Sequence, residues 1–321
     1  MDSVPSFSAA KEEKPQLGWF EWLKGWYRLV LETFFEKYWS RHLPNPLPLP
    51  PLNGITSIVT GSTSGIGLEI ARQLAEAGAH VVMAVRNTEL AHKLVQKWQT
   101  ELQNISSTKF TRIRSKICKH MEFQKQTFEY SYQQRGRIVN VNSLMHAIGF
   151  VDTRDLNFDK GINHFTSLRG YSRSKLAQIM FNNVLHRTIP KSAKINVVCV
   201  DPGSVRTNVV RDLPRIIQIA FQALPKFLYT AQEGSRSVLY AAVYNEIWEY
   251  CEKLKAEEWL VCPYVACNCK TMIPSNEAQN LEVSRFVWKA TVDTVGFPND
   301  AVDLLLSGKE IQWQYSDLVV N

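Results

Sequence analysis

Residues 55–86 constrain the fold more than any other stretch. ITSIVT, residues 55–60, is a short apolar strand, and the loop GSTSGIG follows at 61–67. The next segment, LEIARQLAEAGA, places Ile70, Leu74 and Ala77 on one helical face. HVVMAVR reads as a second strand and ELAHKLVQKWQTEL as a second helix. Strand, glycine loop, helix, strand, helix is the opening of a doubly wound α/β domain with a parallel sheet.

The loop is chemically specific because of where it stands. Gly61 permits a tight turn, Gly65 lets the backbone approach a pyrophosphate, and Gly67 allows the helix to pack closely on the strand. The helix that follows offers unpaired N–H groups and a positive dipole end to an anion. Gly61, Ser62, Ser64, Gly65, Ile66 and Gly67 are therefore the candidate dinucleotide contacts. Arg86 ends the second strand, where an acid would hold the ribose hydroxyls of NAD. A guanidinium there suits a 2′-phosphate, so NADP(H) is the expected cofactor.

Later segments extend the same plan. RIVNVNS, residues 137–143, is a strand that ends on the hydroxyl of Ser143. YSRSKLAQIMFNNVLHRTI, from residue 171, is a long helix, and INVVCVDPG, from residue 195, is a strand closed by a Pro-Gly turn. Tyr171 and Lys175 stand four residues apart and share a helical face. A phenol near its ordinary pKa of about 10 is a poor acid–base catalyst at neutral pH. A neighbouring ammonium lowers that value, and Ser143 could steady a developing alkoxide on a substrate.

The glycine loop, the strand ending in Ser143, the Tyr171/Lys175 pair and the turn from Pro202 through Gly203 and Val205 to Thr207 come in a recognisable order. That order resembles the short-chain dehydrogenase/reductase family. TGSTSGIG, EAGAHVVMAVRN, GFVD and SKLAQIMF carry a closer resemblance to its retinol-dehydrogenase-like branch, and within it to a plant oxidoreductase. NPLPLP and NEAQN belong to the same resemblance, which covers most of residues 17–105 and 136–315. It implies a Rossmann sheet of about seven strands, with Tyr171 as general acid/base, Lys175 as its partner and Ser143 as the substrate-orienting hydroxyl. It also implies that the Pro202–Thr207 turn holds the carboxamide end of the nicotinamide. The implied substrate is a small apolar alcohol or carbonyl compound.

One block of the family pattern is missing. The resemblance leads one to expect an acidic residue after a third strand, an Asn-Asn-Ala-Gly motif after a fourth, and an Asn on the following helix. Residues 104–135 occupy their place and contain no clear strand and no apolar helix. Gly67 and Ser143 are only 76 positions apart, roughly fifty fewer than the resemblance implies for that interval. The expectation is a variant chain, from alternative splicing or a gene-model error, that has lost a central block. In the strand order 3-2-1-4-5-6-7 that loss leaves two central edges unpaired or forces strands one and five together. The alternating charges of residues 109–117 suit a sheet edge better than a sheet centre.

The flanks add a domain boundary and a surface. Residues 17–42 form an amphipathic helix with Trp19, Leu23, Trp26, Val30 and Phe34 on one face and Glu21, Arg28, Glu32 and Glu36 on the other. Its charges prevent it from spanning a bilayer. Either it docks its apolar face on the main domain, or it lies in a membrane interface. LPNPLPLPPLNG, residues 43–54, then serves as an extended connector, so residues 1–53 precede a domain at 54–321.

Composition excludes several classes. A mean hydropathy of −0.19 argues against a multispanning membrane protein. The net charge of +7 invites a nucleic-acid reading. However, eight Lys/Arg and two Glu fall between Lys109 and Arg137, a basic loop rather than a binding face, so no nucleic-acid partner is expected. Cys262, Cys267 and Cys269 lack a nearby histidine and read as unpaired thiols, not as a zinc site. With residues 1–16 polar and charged, no secretory signal peptide is expected. The expected location is the cytoplasm, or the cytosolic surface of an intracellular membrane, and a homodimer is compatible with the family. The expected function is an NADP(H)-dependent oxidoreductase, and the alternative is a non-catalytic variant that binds a partner or membrane.

Overall fold

The computed structural model describes residues 19–105, 115–118, 135–160, 164–206, 228–257, 261–309 and 311. Thr207 and the apolar-rich stretch that follows it, together with most of the basic segment, lie outside the described residues.

The chain opens with α1 (Trp19–Ser40), then a proline-rich connector whose Leu47 and Leu52 are buried. The expected unit follows as β1 (Thr56–Thr60), α2 (Gly65–Glu76), β2 (His80–Ala84) and α3 (Thr88–Ile105). Helical spacing buries Ile70, Ala71, Leu74 and Ala75 of α2, and Ala91, Val95 and Trp98 of α3. A short β3 (Ser115–Cys118) comes next, within a segment that reads as strandless in the sequence. It pairs in parallel with β2 at the outer edge, where a charged residue such as Lys116 is tolerated in a strand.

The second half contains β4 (Gly136–Val141), a 3₁₀ turn at Leu144–Ile148, α4 (Ser167–Thr188) and β5 (Ile195–Val200). It continues with α5 (Ala231–Val243), α6 (Asn245–Ala256), β6 (Tyr264–Val265), β7 (Thr271–Met272), α7 (Leu281–Val295) and α8 (Ala301–Leu306).

The strands form two sheets. One has the order β1-β2-β3 and the other β4-β5-β6-β7, parallel except for β7. β1 and β4 are each an edge, at the point where the family order places its fourth strand between them. Of the two outcomes expected from a lost block, unpaired edges rather than direct pairing is the one observed among the described residues. Burial follows this division. Val81, Val82 and Met83 of β2 and residues 196–200 of β5 are buried, whereas β1 buries only Val59 and Ile138 of β4 is 39% exposed.

A common core holds the sheets together. Val59, Leu74 and Met83 from the first half share one apolar cluster with Val198, Val200 and Leu239 from the second, and Val139 and Val141 pack against it. The link is made by helices: α2 lies on α5, and Gln73 Nε2 donates to Ser235 Oγ at 2.9 Å in the buried seam. The guanidinium of Arg137 donates to the carbonyl of Ala241 at 2.9 Å, tying the β4 edge to α5.

Candidate active site

Parallel strands put their carboxyl ends on one side, and the chemistry-bearing turns follow those ends. After β1, Gly61 and Gly65 both adopt left-handed backbone (φ +62° and +54°), which a side chain would disfavour. A Cβ on Gly67 would lie 2.5 Å from the carbonyl oxygen of Gly61, so helix and strand approach as closely as the spacing predicts. Ser64 precedes α2 in extended conformation and makes no side-chain cap, leaving the first-turn N–H groups for another acceptor. Ser62 is fully buried, and its hydroxyl has no hydrogen-bond partner among the described residues. An orphaned buried hydroxyl inside a glycine cradle at a helix N-terminus fits the phosphates of a dinucleotide. Arg86 is exposed beside this cradle, just past Ala84, which pairs with Thr60 at the end of β1.

In the second half Ser143 follows β4 and caps the 3₁₀ turn, its hydroxyl accepting from the N–H of Met145 at 3.2 Å. The Ser143 side chain interacts with the Tyr171 phenol and draws its pKa down. Lys175 Nζ lies 5.7 Å from the centre of the Tyr171 ring and donates to the carbonyl of Val141 at 3.0 Å. Ser143, Tyr171 and Lys175 thus meet at the carboxyl end of β4. The electrostatics differ from expectation. Burial pushes the Tyr171 phenol above its ordinary value, and the Ser143 side chain offsets only part of this. Burial also lowers Lys175, against the pull of Asp201. The phenol is therefore held in its protonated form, rather than being acidified by its neighbour.

Several positioning residues escape a motif reading. Asn142 is buried; its amide donates to the carbonyl of Lys175 at 2.9 Å and to Gln178 Oε1 at 3.0 Å, and its carbonyl accepts from the N–H of Ser143 at 2.8 Å. Asp201 is buried and accepts from the N–H groups of Leu144 at 3.1 Å and Gly203 at 3.0 Å, so one carboxylate joins the Ser143 turn to the Pro202–Gly203 turn. Its pKa rises to about 6, chiefly through burial. His146 is buried and held neutral, its pKa lowered by burial to about 4. The neighbours of Ser143 and Pro202 in the sequence were the only signal for these residues.

Pro202, Gly203 and Val205 follow β5. Gly203 has φ +79°, and a Cβ there would strike the Tyr229 ring at 2.5 Å. Val205 forms a bridge with Tyr229, and Ile66 of the glycine loop packs on the cluster of Val205, Tyr229 and Cys267. The two halves of the candidate site therefore touch: the phosphate cradle and the turn after β5 share an apolar contact. The sulfurs fall into different environments. Cys262 Sγ donates to the carbonyl of Val197 at 3.2 Å in the second core, while Cys267 lies beside Tyr229.

Residues 56–128 match the sequence profile of the short chain dehydrogenase family. Over 366 aligned positions the chain is 42% identical to "Dehydrogenase/reductase SDR family member FEY" of Arabidopsis thaliana, covering 98% of this chain and 97% of that protein. The chain is a short-chain dehydrogenase/reductase. It is also similar to Retinol dehydrogenase 11 of Homo sapiens, 26% identical with 78% of this chain and 88% of that protein covered. Among solved structures, an uncharacterised protein from Mycobacterium Paratuberculosis shares the fold at 18% identity and a TM-score of 0.51, over 76% of this chain and 94% of that one. The alignment with the Arabidopsis protein is longer than the 321 residues of this chain. This short-chain dehydrogenase/reductase therefore lacks residues that its relative carries, and among the described residues β1 and β4 are the edges that face the gap.

Proposed function

We propose that this oxidoreductase uses NADP(H) to interconvert an apolar alcohol and the corresponding carbonyl compound. The observation that carries the reading is the contact of Ile66 with the Val205–Tyr229–Cys267 cluster. That contact joins the glycine loop to the turn after β5 despite the divided sheet, which supports one continuous cofactor site. The bound nicotinamide supplies or accepts the hydride. Tyr171 passes a proton to the substrate oxygen in the reductive direction and takes it back in the oxidative one. Ser143 donates a hydrogen bond to that oxygen, and Lys175 favours negative charge on the phenol as the proton leaves. A buried, protonated phenol is in the form required for reduction. Gly61, Ser62, Ser64, Gly65 and Gly67 would hold the pyrophosphate. Arg86 would meet the 2′-phosphate as a charge-assisted pair. The Pro202–Val205 turn would seat the carboxamide.

The test is reduction of a long-chain aldehyde by the full chain with NADPH or NADH. The reading predicts turnover with a preference for NADPH that falls about tenfold in Arg86→Ala, the scale of one charge-assisted contact. Equal use of both nucleotides overturns the NADP assignment. The unpaired edges of β1 and β4 favour one other reading, a non-catalytic binding protein. NADPH binding without turnover on any apolar carbonyl would select it.

A further inference from the structure

Helix α1 is docked the wrong way round for a soluble amphipathic helix. Its polar and small residues face the body. Glu36 is buried and accepts from the N–H of Ser204 at 2.8 Å. Arg28 reaches Met272 Sδ at 3.6 Å, Lys37 pairs with Glu233 at 3.4 Å, and Ser40 hydrogen-bonds the Tyr229 hydroxyl. Gly25 lies against the carbonyl of Ala147, where a Cβ would come within 2.7 Å of the oxygen. Of the apolar face read from the sequence, only Trp26 is half-buried while Trp19, Leu23, Val30 and Phe34 are exposed, so that face is not the one docked on the domain. The stripe of Trp19, Leu23, Tyr27 and Val30 points outward, with Trp19 77% and Tyr27 67% exposed, and Phe20, Trp22 and Tyr38 continue it.

We propose that this outward stripe seats the protein on an anionic lipid surface. Three features select a bilayer over a protein groove. The stripe mixes Trp and Tyr with Leu, Val and Phe, and indole and phenol rings suit a boundary that is apolar on one side and wet on the other. It runs the length of a 22-residue helix, as a helix lying in the interface plane requires. The charge is sorted as well: Glu36 is turned into the body and Glu32 pairs with Arg28, whereas Lys24 and Arg41 beside the stripe are exposed. The cations left facing outward complement anionic headgroups. Among the described residues no helix is long and apolar enough to cross a membrane, so the contact is peripheral. Because the inner face of α1 touches Ser204 and the turn after Ser143, the seated protein would hold the candidate site next to the lipid.

The test is flotation of the full chain with phosphatidylcholine vesicles, with and without phosphatidylserine. The full chain should float with the anionic vesicles. Trp19→Ser/Leu23→Ser/Tyr27→Ser changes only exposed side chains and should lower partition about a hundredfold at unchanged circular dichroism. Lys24→Glu/Arg41→Glu should lower it about tenfold or more on anionic vesicles alone. The proposal is overturned if the full chain stays with the unbound fraction, if the triple variant floats equally well, or if charge reversal has no effect. A full-length dimer that the triple variant converts to monomer would also overturn it, since a second copy would then cover the stripe.

Discussion

β1 and β4 are built alike and carry different burdens. Each is a short parallel strand followed by a turn with functional groups, and each is paired on one side only. Behind β1 stands a three-stranded sheet in which β2 is well buried and β1 itself buries only Val59. Behind β4 stands β5, buried along almost its whole length, backed by a second core of Leu176, Ile179, Met180, Val197 and Tyr264. Ser143, Tyr171 and Lys175 sit on the well-supported half, where Asn142 and Asp201 tie down the neighbouring backbone. The phosphate cradle sits on the thinner half and meets the other through α2, α5 and Ile66. The break between β1 and β4 among the described residues thus leaves Ser143, Tyr171 and Lys175 in order and puts the weak point at the seam.

Tyr171→Phe tests the stronger half. It should lower turnover by about 10²–10⁴-fold, the usual worth of a positioned acid–base group, with thermal stability and NADPH affinity nearly unchanged. A variant that keeps most of its turnover would break the division of labour. Gly67→Ala tests the thinner half, because its Cβ must push the Gly61 backbone aside. The expected cost is about 1–3 kcal/mol in denaturant unfolding, with NADPH binding lost. Unchanged stability and binding would show that the cradle is not close-packed.

The smallest effect concerns the contact of α1 with the turn after β5. Burial, with the Asp201 and Glu32 carboxyls nearby, raises the pKa of Glu36 to about 8. The folded state therefore keeps a proton that the unfolded chain releases near the ordinary value of 4.5, and stability falls as pH climbs from there through about 8. Glu36→Gln should remove that loss, so its melting temperature should gain on that of the unaltered chain by a few degrees between about pH 5 and pH 8. Parallel curves would mean that Glu36 is not held protonated.

Much of this was legible in the sequence for local reasons. The loop at 61–67 and the Tyr171/Lys175 pair are set by spacing along one chain segment, and both lie where the pattern predicts. β3 was legible only as a weak edge candidate within 109–117, because four residues with a single lysine carry little strand signal, and pairing with β2 decides them. The phenol's raised pKa was missed because burial is a property of the packed domain. The orientation of α1 could not be read from its amphipathicity, which says that two faces differ but not which one turns inward. Glu36 meets Ser204 across more than half the chain, and no local pattern announces such a contact.

Hydrogen exchange with and without NADPH tests most directly whether the two sheets make one site. If they do, NADPH should slow exchange in the same titration at residues 61–67 in the first half, and at 143–145 and 203–205 in the second. Protection confined to one half, or absent from both, would contradict the account.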